Sequence, residues 1–284
     1  MRGTRVAQRG VALIAVLWLV AAMGLIITGI VQAVRNEVRT AGQQRQALVA
    51  NALADAAILL ALQNMHAQQK EPPNTIQIIP VQFEGRMSEV SVRPLNGLID
   101  INKANVMLLG DLYRHAGAMT SEAAQALAQA TVEARQFKSA KGLASRFEAI
   151  EDLLQVPGMT YDLYAKIAEL ITSDLQTGSG RVNPLAAPVG VLQVLTDGDI
   201  ARAAVLAAKR DADPKLMDTS FLKPGHIEMA SSSSLQFQVR VGLPDGGTLQ
   251  KTWHVYWSVD PSSGLPWRVL GTQQSRRRAT WPVN

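Results

Sequence analysis

Four histidines, no cysteine and a scatter of acidic and hydroxyl residues are the groups with which this chain could do chemistry. His66, His115, His226 and His254 show no metal-ligand spacing, and isolated histidines more often serve packing or the surface. Without cysteine there is neither a thiolate nucleophile nor a disulfide. Gly178-Ser179-Gly180 is not followed by the Lys-Ser/Thr of a phosphate-binding loop and reads as a link between helices. The serines at 231–234 read as a polar turn, with no His and Asp in a recognisable arrangement around them. Asp197, Asp199, Asp211, Asp213 and Asp218 could hold calcium through their carboxylates, but their spacing fits no defined calcium loop and a solvated face accounts for them. No catalytic or cofactor-binding residue is therefore expected, no cofactor is required, and no metal ligand is assigned. The one bond whose setting invites chemistry belongs to the chain itself. It joins Gly10, which has no Cβ to obstruct a protease, to Val11.

The segment that positions this bond is an apolar run at 11–31, uncharged throughout and preceded by Arg2, Arg5 and Arg9. As a helix it reaches about 32 Å, enough to cross the hydrocarbon core of a bilayer. A secretory signal peptide would want an apolar core of about 7 to 15 residues and a small-x-small cut. This run is longer, and Val31-Gln32-Ala33 is a weak site. A plain membrane anchor is compatible with the same residues. A basic leader that ends in Gly before a continuous apolar helix also resembles a type IV prepilin leader. That resemblance implies cleavage between Gly10 and Val11 by a prepilin peptidase on the cytoplasmic side and N-methylation of Val11. The leader arginines favour a cytoplasmic N-terminus, which places the rest of the chain beyond the inner membrane. Most pilins and pseudopilins carry Glu at the fifth residue after the cut, where this chain has Ala15. A carboxylate in hydrocarbon is costly unless paired, so Ala15 fits a subunit with no neighbour to satisfy on that side, as at a filament tip.

From 35 to 66 the chain is rich in Ala, Leu, Gln and Arg, has no Pro and has only Gly42 as a breaker, which predicts that the helix continues. Val49, Leu53, Ala56 and Leu60, flanked by Leu48, Ala52 and Leu59, form the expected apolar stripe. Lys70 to Asn74, with Pro72 and Pro73, ends the helix. Alternating stretches at 75–83, 87–92 and 98–101 read as strands packing on it, joined by later strands at 235–241, 248–259 and 267–270. Pro244-Asp245-Gly246-Gly247 is a hairpin turn signal. Between these two sets of strands the pattern is helical.

That helical block carries Ile101-Asn102-Lys103-Ala104, Leu108, Leu109 and Gly117, then a helix to Arg135, Phe137, Phe147, Glu151, Leu153-Leu154 and Val156-Pro157-Gly158-Met159. It resembles a tandem helix-hairpin-helix array, with a second echo at Val182-Asn183-Pro184. Asn102 and Asn183 are each expected to cap the helix that follows. A DNA-binding hairpin of this type uses Gly-x-Gly to bring backbone amides to a phosphate. Here the second Gly is Thr120 in one hairpin and Thr160 in the other. Residues 95–225 hold 13 Lys and Arg against 15 Asp and Glu, a net of −2. The whole chain is at +5, but Arg2, Arg5 and Arg9 carry three of those charges, and Arg276-Arg277-Arg278 cluster in the tail. Affinity for nucleic acid rests on phosphate neutralisation, so no nucleic-acid partner is expected.

Four stretches together resemble one family across essentially the whole chain: Gln8-Arg9-Gly10-Val11-Ala12-Leu13, Ile99-Asp100-Ile101-Asn102, Phe147 with Val156-Pro157-Gly158, and Gly180-Arg181-Val182-Asn183-Pro184. The family is the K-type minor pseudopilin of type II secretion, also called general secretion pathway protein K. The resemblance implies an α+β, pilin-like fold: a long N-terminal helix on a small antiparallel sheet, with a large all-α domain of helix-hairpin-helix/SAM-like type inserted into the sheet. The implied divisions are a leader (1–10), a transmembrane helix part (11–34), an amphipathic periplasmic part (35–66), first strands (67–103), the inserted helical domain (104–225) and completing strands (226–284). The implied role is non-enzymatic. The K subunit joins the I and J minor pseudopilins at the tip of the pseudopilus, initiates and caps its assembly, and so serves export of folded proteins across the outer membrane. Its other implied partners are further pseudopilins, the prepilin peptidase and the inner membrane, which it spans once with its bulk in the periplasm. Calcium is a ligand known in that family. Two other classes share part of the pattern: a minor pilin of a type IV pilus, and a membrane-tethered helix-hairpin-helix protein that binds DNA.

Overall fold

The structure is a computed structural model that describes residues 7–68, 71–136, 146–173, 178–243 and 246–277. Arg2 and Arg5 of the leader, Lys70, Phe137, Pro244, Asp245 and Arg278 lie outside the described residues. A single helix α1 (Ala7–Gln68) runs unbroken through the apolar run, Arg35 and Gly42. At 62 residues it is about 93 Å long. A break at Arg35, which a separate anchor and amphipathic helix would show, is absent.

The C-terminal half of α1 lies on one face of a five-stranded antiparallel sheet. Its strands are β1 (Gln77–Phe83), β2 (Arg86–Pro94), β5 (Ser234–Gly242), β6 (Thr248–Tyr256) and β7 (Arg268–Arg277), in that spatial order. Period-two alternation sends Leu235, Phe237 and Val239 of β5 toward α1, and Gln236, Gln238 and Arg240 to the other side. Between β5 and β6 the hairpin closes through Leu243 N–H on Gly247 O (2.8 Å) and Gly246 N–H on Leu243 O (3.0 Å).

The helix presents a different stripe from the expected one. Ala50, Ala54, Ala57, Ile58, Ala61, Leu62 and Met65 are buried, whereas Leu48, Val49 and Leu59 are exposed and Leu53, Ala56 and Leu60 are half-buried. Two physical effects rotate it. Alanines let the helix backbone approach the sheet closely, so the contact line follows the small residues. A polar pair then fixes the rotation, because Lys251 Nζ donates to Asn51 Oδ1 (2.7 Å) and pairs with Asp55 Oδ1 (2.9 Å). Trp253 Nε1 also donates to Asp55 Oδ1, at 3.2 Å. Asn51 and Asp55 stand one helical turn apart and must face the sheet, which a count of apolar residues alone would turn outward.

The chain leaves the sheet after Pro94 and returns at Ser234, and Pro94 is paired with Leu235 across the β2–β5 ladder. Everything between them is an insertion springing from one place on the sheet. It comprises α2 (Val106–Asp111), a π turn (Leu112–Ala116), α3 (Ser121–Gln136), α4 (Tyr161–Ile167), α5 (Val189–Leu195) and α6 (Ile200–Ala212). Its core is separate from the helix–sheet core and includes Leu95, Leu98, Ile99 and Ile101. The 98–101 stretch therefore does not pack on α1 as expected. Within it β3 (Ile99–Asp100) pairs in parallel with β4 (Ile171–Thr172), a two-residue ladder inside the helical block. The reason is that 98–101 follows the point of departure from the sheet, where a strand has only the insertion to pair with.

Candidate functional site

Gly10 and Val11 lie within the first turns of α1, and Ala15 is an exposed residue one turn further on. Neither charge nor a breaker interrupts the helix over this stretch, so the bond between Gly10 and Val11 sits in helical backbone.

The asparagines singled out in the helical block have other duties than capping. Asn102 donates through Nδ2 to Phe147 O (2.9 Å) and accepts from Phe147 N–H at 2.9 Å, tying α2's approach to the strand of chain before Ile150. The cap of α2 is Asn105, whose Oδ1 accepts from Leu108 N–H at 2.8 Å. Asn183 is fully buried and accepts from Leu185 N–H (3.0 Å), while α5 begins only at Val189. Its Nδ2 donates to Asn74 O (2.7 Å) and Ala230 O (3.3 Å), and Asn96 Nδ2 joins it on Ala230 O (2.8 Å). The bond to Asn74 fastens the insertion to the segment between α1 and β1, and the bonds to Ala230 tie the beginning, middle and end of the insertion together. A spacing pattern cannot distinguish Asn102 from Asn105, because both precede the same helix.

The two threonines in the second-glycine positions are structural. Thr120 Oγ1 accepts from Ala123 N–H (3.3 Å) at the start of α3, and Thr160 Oγ1 accepts from Leu163 N–H (3.2 Å) as the cap of α4. Each hydroxyl takes up an amide that a phosphate would need.

The five carboxylates proposed from sequence do not share a site. Asp199 caps α6 through Arg202 N–H (2.9 Å), Asp211 pairs with Arg210 (2.8 Å), and Asp213 and Asp218 accept from Lys215 N–H (3.0 Å) and Ser220 N–H (2.9 Å). Asp197 alone turns elsewhere, into a cluster that sequence spacing did not show. Asp111 and His115 lie four residues apart across the π turn and share a face, and Asp197 comes to them from the turn after α5. One ligand atom from each of the three lies within 4.8 Å of the others. Lys223 Nζ bridges Asp111 Oδ2 (2.8 Å) and Asp197 Oδ1 (2.6 Å), and His226 Nδ1 is 3.6 Å from Asp111 Oδ2. The turn can close on His115 only because residue 198 is glycine: its φ is +87°, and a Cβ would stand 2.5 Å from His115 Nδ1. The hydrogen bond from Lys223 holds the Asp197 carboxyl below its ordinary range. Burial lowers the Lys223 ammonium's pKa, but the bonds to Asp111 and Asp197 outweigh it and the net shift is upward. Burial pushes His226 down, toward the neutral imidazole. The one legible signal was the Asp111 and His115 pair at helical spacing.

Among solved structures, the chain is similar to one chain of the crystal structure of the GspK–GspI–GspJ complex from the type 2 secretion system of enterotoxigenic Escherichia coli. The superposition has a TM-score of 0.53 at 16% identity and covers 84% of this chain and 99% of that one. The chain has a pseudopilin-like fold. No protein-family model and no curated protein sequence matches it.

In this pseudopilin-like fold the two halves of α1 are apolar for different reasons. Large side chains between Leu13 and Leu25 are left uncovered by the described residues, with Trp18 72% and Leu25 76% exposed. The stretch Val31–Gln68 is also apolar on average, but it buries Ile58 and Leu62 on the sheet and carries Arg35, Glu37, Arg39, Arg45 and Asp55. Packing explains the second half. The first half makes α1 a candidate single membrane span.

Proposed function

We propose that this chain is a minor pseudopilin of K type, positioned at the tip of a type II secretion pseudopilus, where it initiates and caps assembly with I and J partners. The observation that carries the reading is the extent of the fold likeness. Residues 95–233 are nearly half of the chain, so a match over 84% of it has to include most of the insertion. A type IV minor pilin would share α1 and the sheet but rarely such a block. Ala15 supports the terminal position, since it leaves no carboxylate in the apolar run for a neighbour to neutralise. The reading includes processing between Gly10 and Val11 by a prepilin peptidase, N-methylation of Val11, one crossing of the inner membrane and a periplasmic bulk. The role is one of assembly, without catalysis and without nucleic acid.

The test is assembly. The part from about residue 35 onward, mixed with the corresponding parts of I and J pseudopilins from the same secretion system, is expected to elute from gel filtration as one ternary complex. Separate elution of this chain at micromolar concentrations counts against the reading, as does retardation of DNA at physiological salt that is lost when Lys or Arg in the insertion is replaced.

A further inference from the structure

The cluster at Asp111 has more donors than its ion pairs use. The side chain of His226 is 3% exposed, and its Nδ1 is oriented toward Asp111 with no hydrogen bond, 3.6 Å from Oδ2. His115 Nε2 is likewise buried without a partner. An unsatisfied buried imidazole nitrogen is uncommon and calls for an explanation in terms of a ligand or ion. Asp111, Asp197 and His115 bring two carboxylates and an imidazole within 4.8 Å of one another, and His226 approaches Asp111 from a third chain segment, which together make a borderline-soft nitrogen and oxygen donor set. That set matches zinc and its neighbours and is ill suited to calcium, which takes six to eight oxygens.

We propose that Asp111, His115, Asp197 and His226 form a binding site for a divalent transition metal of the zinc class, with the Lys223 ammonium as the resident cation that the metal displaces. Lys223 already occupies the position of positive charge between the two carboxylates. Its side chain is 39% exposed, so it can swing into solvent, still protonated, as the metal enters. Once bound, the metal would staple the π turn, the turn after α5 and the returning segment at 223–226, the last stretch of the insertion before the sheet. The site is independent of the assembly role proposed above.

The displaced lysine makes the site testable against adventitious binding. The untagged full chain in detergent micelles is titrated with zinc chloride by calorimetry, and with cobalt(II) by visible absorption. Wild type is expected to bind one equivalent of zinc and to give the intense visible bands of four-coordinate cobalt. His115→Gln is expected to weaken zinc binding by about tenfold or more, since replacing even an outer-shell partner of a metal costs about 10–100-fold. Lys223→Met is expected to tighten it by about tenfold or more, because the competing cation is gone and the carboxylates remain. A wild type giving only the weak spectrum of aqueous cobalt overturns the proposal, as does a His115→Gln affinity equal to wild type. A folded Lys223→Met chain that binds no tighter also overturns it. If Lys223→Met is unfolded without metal, recovery of its circular dichroism on adding zinc supports the site. If it stays unfolded, the wild-type cobalt spectrum and its loss in His115→Gln decide.

Discussion

Asp100 is a buried carboxyl in the β3–β4 ladder with one oxygen on Asn102 N–H (2.8 Å) and the other without a partner. Burial raises its pKa from 3.8 to about 6. A carboxyl whose pKa is raised by folding binds its proton more tightly in the native state, so it costs stability as pH climbs from the unfolded value through the folded one. Asp100→Asn keeps the acceptor and removes the charge. It is expected to match wild type in urea melts below about pH 4 and to exceed it by about 2–3 kcal/mol above about pH 6.5. A gap independent of pH would show that the charge is not responsible. At Gly97 a Cβ would stand 2.3 Å from Ala186 O, backbone against backbone. Gly97→Ala is therefore expected to lose about 2–3 kcal/mol in the same melts, by forced separation of two insertion segments. Neither demand shows in the sequence: Asp100 lies in the strand read at 98–101 and in a stretch of the family resemblance, but nothing there signals its buried charge, and the demand at Gly97 comes from Ala186, 89 positions away.

At the scale of elements, the seat of α1 on the sheet depends on a polar contact as much as on its alanines. Lys251 is 8% exposed, and its ammonium is held by Asn51 and Asp55. Lys251→Ala is expected to cost roughly 2–3 kcal/mol in chemical denaturation, below the cost of a fully buried pair because the Asp55 side chain is 32% exposed. Joint replacement by Lys251→Met and Asp55→Leu should recover most of that loss, since no charge is then stranded; equal losses in the single and double variants would refute the pairing. Helix existence and length, the alternating strands and the hairpin at 243–247 were legible from periodicity and turn residues. The rotation of α1 was not, because helical spacing in an alanine-rich segment admits several stripes, and the one used is selected by Lys251 and Trp253, about two hundred residues away. The strand at 98–101 was legible as a strand but not as a partner of Ile171–Thr172, because pairing is decided by where the chain leaves the sheet.

For the whole molecule the N-terminus is the discriminating readout. Mass spectrometry of the chain recovered from membranes is expected to show a first residue of N-methylated Val11, with residues 1–10 gone. A retained Met1 would refute prepilin processing and leave a plain anchor. Ala15→Glu is expected to leave folding of the part from about residue 35 onward unchanged while lowering the yield of assembled filaments in a secretion assay, since on the proposed reading it introduces a carboxylate into hydrocarbon. Unaltered assembly would mean that Ala15 does not mark a terminal position. The apolar run and the order of strands, block and strands could be read from composition along the chain. The cluster at Asp111 could not, because Asp111, His115 and Asp197, with His226 beside Asp111, meet only when α2, the turn after α5 and the returning chain fold together.

The pairing of Pro94 with Leu235 sets the two ends of the insertion on neighbouring strands, a spacing of about 5 Å. A domain whose ends lie that close can be lifted out or exchanged without stretching the platform beneath it. The ladder β2–β5 thus acts as a socket: the helix and sheet supply a constant stem, and what is plugged in between residues 94 and 235 can diverge in size and surface while the stem keeps its register.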